Sequence, residues 1–202
     1  MFDWLENIDR ELFLVLNNVH APWLDKVMWY ISYTPSWIPL FLFFAFYAYK
    51  KNGKKFLVTI LLSAGLCIAL ADLISVHLFK EVFQRYRPTH NEELKGIVKI
   101  VTKPNGEVYL GGLYSFVSSH AANFGAISML LFLNFKKFSK WWVLLFIWFT
   151  LIVYSRIYLG VHYPSDIFVG GLLGFTIGYG VYKLQQLILR KIKTQTKMSK
   201  NG

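Results

Sequence analysis

Lys80 with Arg87-Pro88, then Ser118-Ser119-His120, then Ser155-Arg156 with His162 and Asp166 are polar groups set among long apolar runs. Charged and imidazole side chains are costly near a bilayer, so a set of them there reads first as a working site. Three strong cations, two imidazoles and one carboxylate suit a bound phosphate under nucleophilic attack.

The spacing says how each piece has to be held. Lys80 and Arg87 are seven residues apart, which returns them to nearly one face of a helix, and Pro88 predicts that this helix ends near Arg87. Ser118 stands just ahead of an apolar run, a favourable N-cap position, and the orphan N–H groups of that first turn make a ready anion site with His120 beside it. Pro164 fits the first position of another helix. His162 then lies just outside that helix and Asp166 in its first turn. A carboxylate there can accept the Nδ1 proton and leave Nε2 as the nucleophile. Arg156 ends the preceding run, and the short 157–161 link returns it to the same pocket.

Stepping outward, 55% of the 202 residues are hydrophobic, 18% are aromatic and only 16% are charged. That composition predicts a single integral membrane domain over 1–202 rather than a soluble one. Five stretches reach the roughly 20 residues a spanning helix needs: 23–49, 56–79, 116–135, 141–158 and 165–187. Pro35 and Pro39 interrupt the first, so its true start is expected near Trp37, with Asp25 and Lys26 at the interface. Residues 1–16 place Leu5, Ile8, Leu12 and Leu16 at helical spacing, an amphipathic helix on the membrane or across the bundle. The expected fold is an all-α polytopic bundle of five transmembrane helices, or six if the 1–22 segment crosses.

The net charge of +11 is unevenly placed. Lys50, Lys51, Lys54 and Lys55, then Lys136, Lys137 and Lys140, then Arg190, Lys191, Lys193, Lys197 and Lys200 flank the runs with no acidic residue among them. All eleven acidic residues lie in the N-terminal segment, in the 80–114 region, or at Asp72 and Asp166. Retention of Lys and Arg in the cytoplasm predicts a basic cytoplasmic tail over 188–202 and puts the polar pieces on the outer face, periplasmic for a bacterial inner membrane. No aromatic-basic interleaving accompanies the charge, so nucleic acid is not an expected partner. In the 84–114 outer loop, Asn105-Gly106 between two β-prone runs predicts a small hairpin or loop.

The spacing Lys-x6-Arg-Pro, Ser-x-His and Ser-Arg-x5-His-x3-Asp resembles the three signature motifs of the phosphatidic acid phosphatase type 2 family, membrane lipid phosphatases that share a site with vanadium haloperoxidases. The resemblance implies that His162 is the nucleophile forming a phosphohistidine, that Asp166 orients it, and that His120 protonates the leaving oxygen. It also implies that Lys80, Arg87, Ser118, the Ser119 backbone N–H and Arg156 hold the phosphate oxygens. Val117-Ser118-Ser119-His120 departs from the family's usual Pro-Ser-Gly-His, and a positive φ would be less comfortable at Ser119 than at glycine.

The resemblance implies a lipid phosphate or isoprenyl diphosphate substrate, with undecaprenyl diphosphate as first choice. Phosphatidylglycerophosphate, phosphatidate and the phosphates of lipid A are the alternatives. The membrane runs favour a lipid over the haloperoxidase reading. A lipid or phosphate transporter is the rival from another class, though binding alone does not need the His162–Asp166 pair. No cluster has metal-ligand spacing, so neither metal nor cofactor is expected. The N-terminus, with Asp3 and Glu6, lacks the features of a removable signal peptide. Cys67 reads as a packing residue, and Asp72, inside a span, as a group facing the bundle interior to pair a cation or bond a hydroxyl. His20, His77 and His90 read as packing or surface residues, and Trp23, Trp37, Trp141 and Trp142 as an interfacial belt. Gly170, Gly171, Gly174 and Gly178 form a small-residue stripe expected to pack within the bundle.

Overall fold

The computed structural model describes the backbone of residues 3–201 and the side chains of residues 4–192. Met1 and Phe2 of the expected amphipathic segment, and the side chains of Lys193, Lys197 and Lys200, lie outside the described residues. Helix α1 (Asp3–Asn17) and α2 (Pro22–Ser32) precede the bundle. Tyr33 is extended, and a short 3-10 turn, Thr34–Trp37, leads into α3 (Ile38–Leu73) with proline in its first turn. The break falls at Tyr33, since Pro35 has no N–H for the Ile31 carbonyl, which accepts from Trp37 Nε1 (2.8 Å) instead, and Pro39 sits where a missing N–H costs nothing. The first apolar stretch is therefore two helices, the second beginning next to Trp37.

Helix α3 is divided by Gly53, whose φ of 75° and ψ of −171° are non-helical. The contacts show that the chain reverses there. Phe41 stacks on Phe124, Tyr47 and Phe56 both meet Phe135, and Ser75 returns to Ser119. A left-handed φ needs glycine, so Gly53 makes the hairpin between two helical rods. Helices α5 (Ser119–Phe135), α6 (Leu144–Tyr158) and α7 (Pro164–Asn201) complete the bundle. Among the described residues, 34–83, 140–158 and 164–192 form helices long and apolar enough to cross a membrane. Exposed Leu42, Leu62, Ile147 and Phe168 line their outer faces. The protein is an integral membrane protein, and its outward apolar surface is what lipid would cover.

Helix α7 lies directly on α5 because its glycines leave no side chains between them. A Cβ built on Gly170, Gly174 or Gly178 would sit 2.7, 2.2 or 2.4 Å from the carbonyl oxygens of Ser118, Ala122 and Ala126. The stripe thus packs inside the chain, as its spacing predicted. Phe44, Phe124, Leu130, Phe135, Trp148 and Ile152 belong to the core at mid-bundle. At one end Lys51 lies over Phe138 and Lys137 over Phe56, so the two basic turns sit together.

At the other end lie α1, the 84–118 loop and the α6–α7 link. Here the expected Lys80–Arg87 helix face needs correction, and the expected hairpin or loop takes a short form. The α3 helix runs on as a π-helical segment, Ile74–Lys80, and one further turn, α4 (Glu81–Phe83), and is stopped by left-handed Gln84 (φ 46°) rather than at Arg87. Lys80 and Arg87 therefore do not share a helix face. No β-strand forms among the described residues. Around Asn105-Gly106 the pairing is short: Thr102 bridges Val108, the Tyr109 N–H reaches the Val101 carbonyl (3.1 Å) and the Lys103 N–H the Glu107 carbonyl (2.7 Å). Lys99 gives its N–H and C=O to the Asn17 side chain instead of to a ladder, and Val101 is buried against Tyr158, Leu159 and Val161. The segment is pinned to the bundle, leaving only the turn of a hairpin.

Candidate active site

The α6–α7 link is the tightest part of the site. Helix α6 ends with Val161 N–H bonded to the Arg156 carbonyl (3.1 Å) and Gly160 at φ +74°. A Cβ at Gly160 would lie 2.8 Å from Val98 Cγ1 and 3.1 Å from the Lys99 oxygen, so glycine supplies both the backbone and the room. This left-handed stop folds the chain back within a few residues, so Arg156, in the last turn of α6, and His162 enter one pocket. Pro164 then opens α7, as its position predicted.

Asp166 in that first turn turns back toward the link. Its Oδ2 accepts the Tyr163 N–H (2.8 Å) and faces His162 Nδ1 at 3.4 Å, while Oδ1 accepts from Arg85 Nη1 (3.1 Å). His162 is 1% exposed and Asp166 0%. Burial, and then the charges of Arg87, Arg156, Lys80 and His120, hold His162 well below the ordinary imidazole range. The free protein therefore carries a neutral His162 at pH 7, the form a nucleophile needs.

If His162 is the nucleophile, the acid limb of kcat/KM that it causes lies below pH 6.5, and a limb at the usual imidazole value would contradict it. Stability moves in the same direction. As pH falls below about 6.5 the unfolded chain takes up a proton that the folded chain refuses, so stability is lost progressively toward the depressed folded value.

The cations surround this pair. Lys80 Nζ donates to Ser119 Oγ (2.8 Å), which also meets Ser75 Oγ at 2.8 Å. Arg87 is extended before Pro88; its Nε donates to the Tyr114 carbonyl (3.1 Å), and its buried Nη1 has no partner among the described residues. Gly111, at φ +71°, lets the outer loop wrap that guanidinium, since a Cβ there would be 2.3 Å from Nη1. Burial first, and then Arg156, lower the Arg87 pKa to about 10. Arg156 is buried, donates Nη2 to the Tyr109 hydroxyl (2.9 Å) and Nη1 to Ser32 Oγ, and keeps a buried Nε without a partner among the described residues. Mutually repelling guanidiniums with unused donors are costly until an anion arrives, so the pocket is preorganised for an anion with several oxygens.

Ser118 is the N-cap of α5: its Oγ accepts the Ala121 N–H (3.4 Å), and its own N–H bonds the Asp166 carbonyl (3.1 Å). That second bond ties the start of α5 to the start of α7. Ser119 is the first residue of α5 and takes no positive φ, so serine fits where glycine is usual. His120 follows in the same turn and lies against Phe124. The three separated pieces thus meet in one pocket.

Sequence reasoning missed Arg85, Ser32, Tyr109 and Asp9. Arg85 had a signal, a second arginine near Arg87, whereas Ser32 at the end of α2 and Tyr109 in the outer loop reach Arg156 from far along the chain with nothing local to mark them. Asp72 accepts from Asn123 Nδ2 (2.8 Å) and is exposed rather than turned inward, because its α3 face lies along the edge of α5. His77 pairs with Glu81 at the surface, and His20 stacks on Tyr158. Buried Cys67 packs in the core.

The pattern of the PAP2 superfamily matches residues 60–190, which take in every one of the motif residues. The chain is 33% identical over 183 residues to the lipid A 4'-phosphatase of Porphyromonas gingivalis, covering 90% of this chain and 75% of that one. It is 29% identical over 203 residues to the lipid A 4'-phosphatase of Bacteroides thetaiotaomicron (100% and 88% covered). An undecaprenyl-diphosphatase of Sulfolobus acidocaldarius is 29% identical over 177 residues (84% and 74% covered). The fold is that of the transmembrane PAP2 type phosphatidylglycerolphosphate phosphatase from Bacillus subtilis, with a TM-score of 0.67 at 20% identity over 91% of this chain and 87% of that one. Motif, match and fold agree: the chain belongs to the PAP2 superfamily, as an integral membrane member.

Proposed function

We propose that this protein is a lipid A phosphatase, removing a phosphate monoester from a phosphorylated glucosamine lipid. The His162–Asp166 pair within a cage of three cations carries the reaction class. The lipid A 4'-phosphatase relatives, matched over nine-tenths or more of the chain, support the substrate class and displace undecaprenyl diphosphate as first choice.

In this mechanism Asp166 accepts a hydrogen bond from the Nδ1–H of His162, which leaves the lone pair on Nε2, and Nε2 attacks phosphorus in line with the sugar oxygen. The P–O bond breaks as the N–P bond forms, and His120 gives its proton to the departing oxygen. His120 then takes a proton from water, which attacks the phosphohistidine and releases inorganic phosphate. Lys80, Arg87, Arg156, the Ser118 hydroxyl and the Ser119 N–H meet the charge that spreads over the equatorial oxygens, an electrostatic contribution fixed before the reaction begins. No step calls for a metal, so phosphate release is expected to survive EDTA; a strict divalent requirement restored by Mg²⁺ would contradict it.

Five crossings accommodate the chain: 38–52, 54–80, α5, α6 and α7. Helix α1 carries Asp3, Glu6, Asp9, Arg10 and Glu11 within its 15 residues and packs at the site end, which supports an interfacial rather than a sixth spanning helix. With the basic turns inside, the site opens to the outer leaflet, periplasmic in a bacterial inner membrane. Purified protein assayed for phosphate release from lipid A, undecaprenyl diphosphate, phosphatidate and phosphatidylglycerophosphate tests the assignment. Lipid A should be hydrolysed with the highest kcat/KM, and preference for a polyprenyl diphosphate would restore the other reading.

A further inference from the structure

Helix α1 turns Leu5, Ile8 and Leu12 outward, while Asp9, Phe13 and Asn17, at i, i+4 and i+8, are buried against the site. A buried carboxylate is expensive unless fully bonded, and Asp9, 8% exposed, is fully engaged. Its Oδ1 accepts the Ser165 N–H (2.8 Å); its Oδ2 accepts the Ser165 hydroxyl (2.5 Å) and Arg85 Nη2 (2.7 Å). Arg85 turns its other nitrogen to Ser165 Oγ (2.8 Å) and Asp166 Oδ1 (3.1 Å), with its guanidinium 3.9 Å from the centre of the Tyr163 ring. One planar fork thus bridges two carboxylates, a task for arginine rather than lysine.

The consequence reaches His162. Asp166 has one oxygen fixed by Arg85 and the other by the Tyr163 N–H, and only the second oxygen meets His162, at 3.4 Å. At that length a small rotation of the carboxylate makes or breaks the bond that orients the imidazole. Asn17 secures the other end of the link, donating to the carbonyls of Ile157 (3.1 Å) and Tyr158 (3.0 Å) just after Arg156. Phe13 fills the space between, edge-on to Tyr163.

We propose that Asp9 and Arg85 are positioning residues of the reaction, through which the N-terminal helix clamps Asp166 in the orientation that aligns His162. The proposal rests on His162 being the nucleophile. Neither residue touches the phosphate; both act through Asp166.

The test compares full-length Arg85→Gln, Arg85→Lys, Asp9→Asn and the double variant Asp9→Asn/Arg85→Gln in detergent, each with kcat, KM and a melting temperature. Misplacing a catalytic group by about 1 Å costs on the order of 10²-fold, so Arg85→Gln should lower kcat about 10- to 100-fold with KM changed by less than about threefold. Asp9→Asn should lose less, and Arg85→Lys should recover part of the loss. The double variant should fall short of the product of the two single losses, because both break one network. An unchanged kcat in Arg85→Gln overturns the proposal, as does a rise in KM at constant kcat, which would make Arg85 a phosphate ligand. Losses that merely track the melting temperature, with no rescue by lysine, overturn it too. If Arg85→Gln does not fold, Asp9→Asn and Arg85→Lys give the same kcat-against-KM reading. His162→Ala in the same series separates the two ideas: activity retained there removes the nucleophile, whereas activity lost there but intact in the Arg85 variants removes only the clamp.

Discussion

Replacing His162 by alanine is expected to abolish phosphate release while the protein still folds. The ring is buried in a cage of Arg87, Arg156 and Lys80, and its hydrogen-bond partner among the described residues is Asp166, which keeps Arg85 and the Tyr163 N–H when the ring is gone. Loss of a covalent nucleophile removes the reaction path itself, so a fall of at least about 10⁴-fold is expected in kcat. Asp166→Asn should cost less, about 10² to 10⁴-fold, by spoiling the orientation and tautomer of the ring. Released phosphate measured on lipid A micelles, beside a thermal melt, decides the matter. A folded His162→Ala protein that still releases phosphate would end the phosphohistidine mechanism. A protein that only carried a lipid would release no phosphate even with His162 in place, so transport without hydrolysis in the unaltered protein would revive the transporter reading.

The second large effect is on the frame. In Gly174→Ala the new methyl would lie 2.2 Å from the Ala122 oxygen and 2.9 Å from its carbonyl carbon, backbone atoms that cannot rotate away. Helices α5 and α7 must separate, and overpacking of this kind costs about 1–3 kcal/mol. Activity should fall as well, because Ser118 and Asp166 are bonded across the same seam. Gly180→Ala is the matched control, since nothing lies within 4 Å of its Cβ. There the loss of backbone freedom in the unfolded chain should leave stability unchanged or raise it by up to about 1 kcal/mol. Equal melting temperatures for the two variants would show that the stripe is not a tight seam.

Several local rules carried over from sequence to structure intact. Ser118 caps α5, Pro164 opens α7, and Pro39 lies in the first turn of α3, each because a cap or a proline acts on its own few residues. The glycine stripe also held, since a close backbone approach leaves only small residues at its spacing. The Lys80–Arg87 spacing did not. The seven-residue return assumes an unbroken α-helix, and the π-helical segment followed by left-handed Gln84 took Arg87 into the pocket through a loop. The hairpin stayed a short turn over 101–109 for a similar reason, as Asn17, 82 residues before Lys99, captured the hydrogen bonds that a longer strand pair would have used.

What the sequence determined by itself was the membrane setting, the helical class and the motif residues of the pocket, because hydrophobic length, caps and motif spacing are written within short stretches. The tertiary structure alone decided what surrounds them. Asp9 meets Ser165 across 156 positions, Arg156 meets Ser32 across 124, and Arg85 meets Asp9 across 76. Such partners are chosen by how helices pack, and no local pattern marks a buried carboxylate on an amphipathic helix as the far end of a catalytic site. Its burial is affordable only once Arg85 and Ser165 arrive to bond it, and they arrive only in the folded bundle.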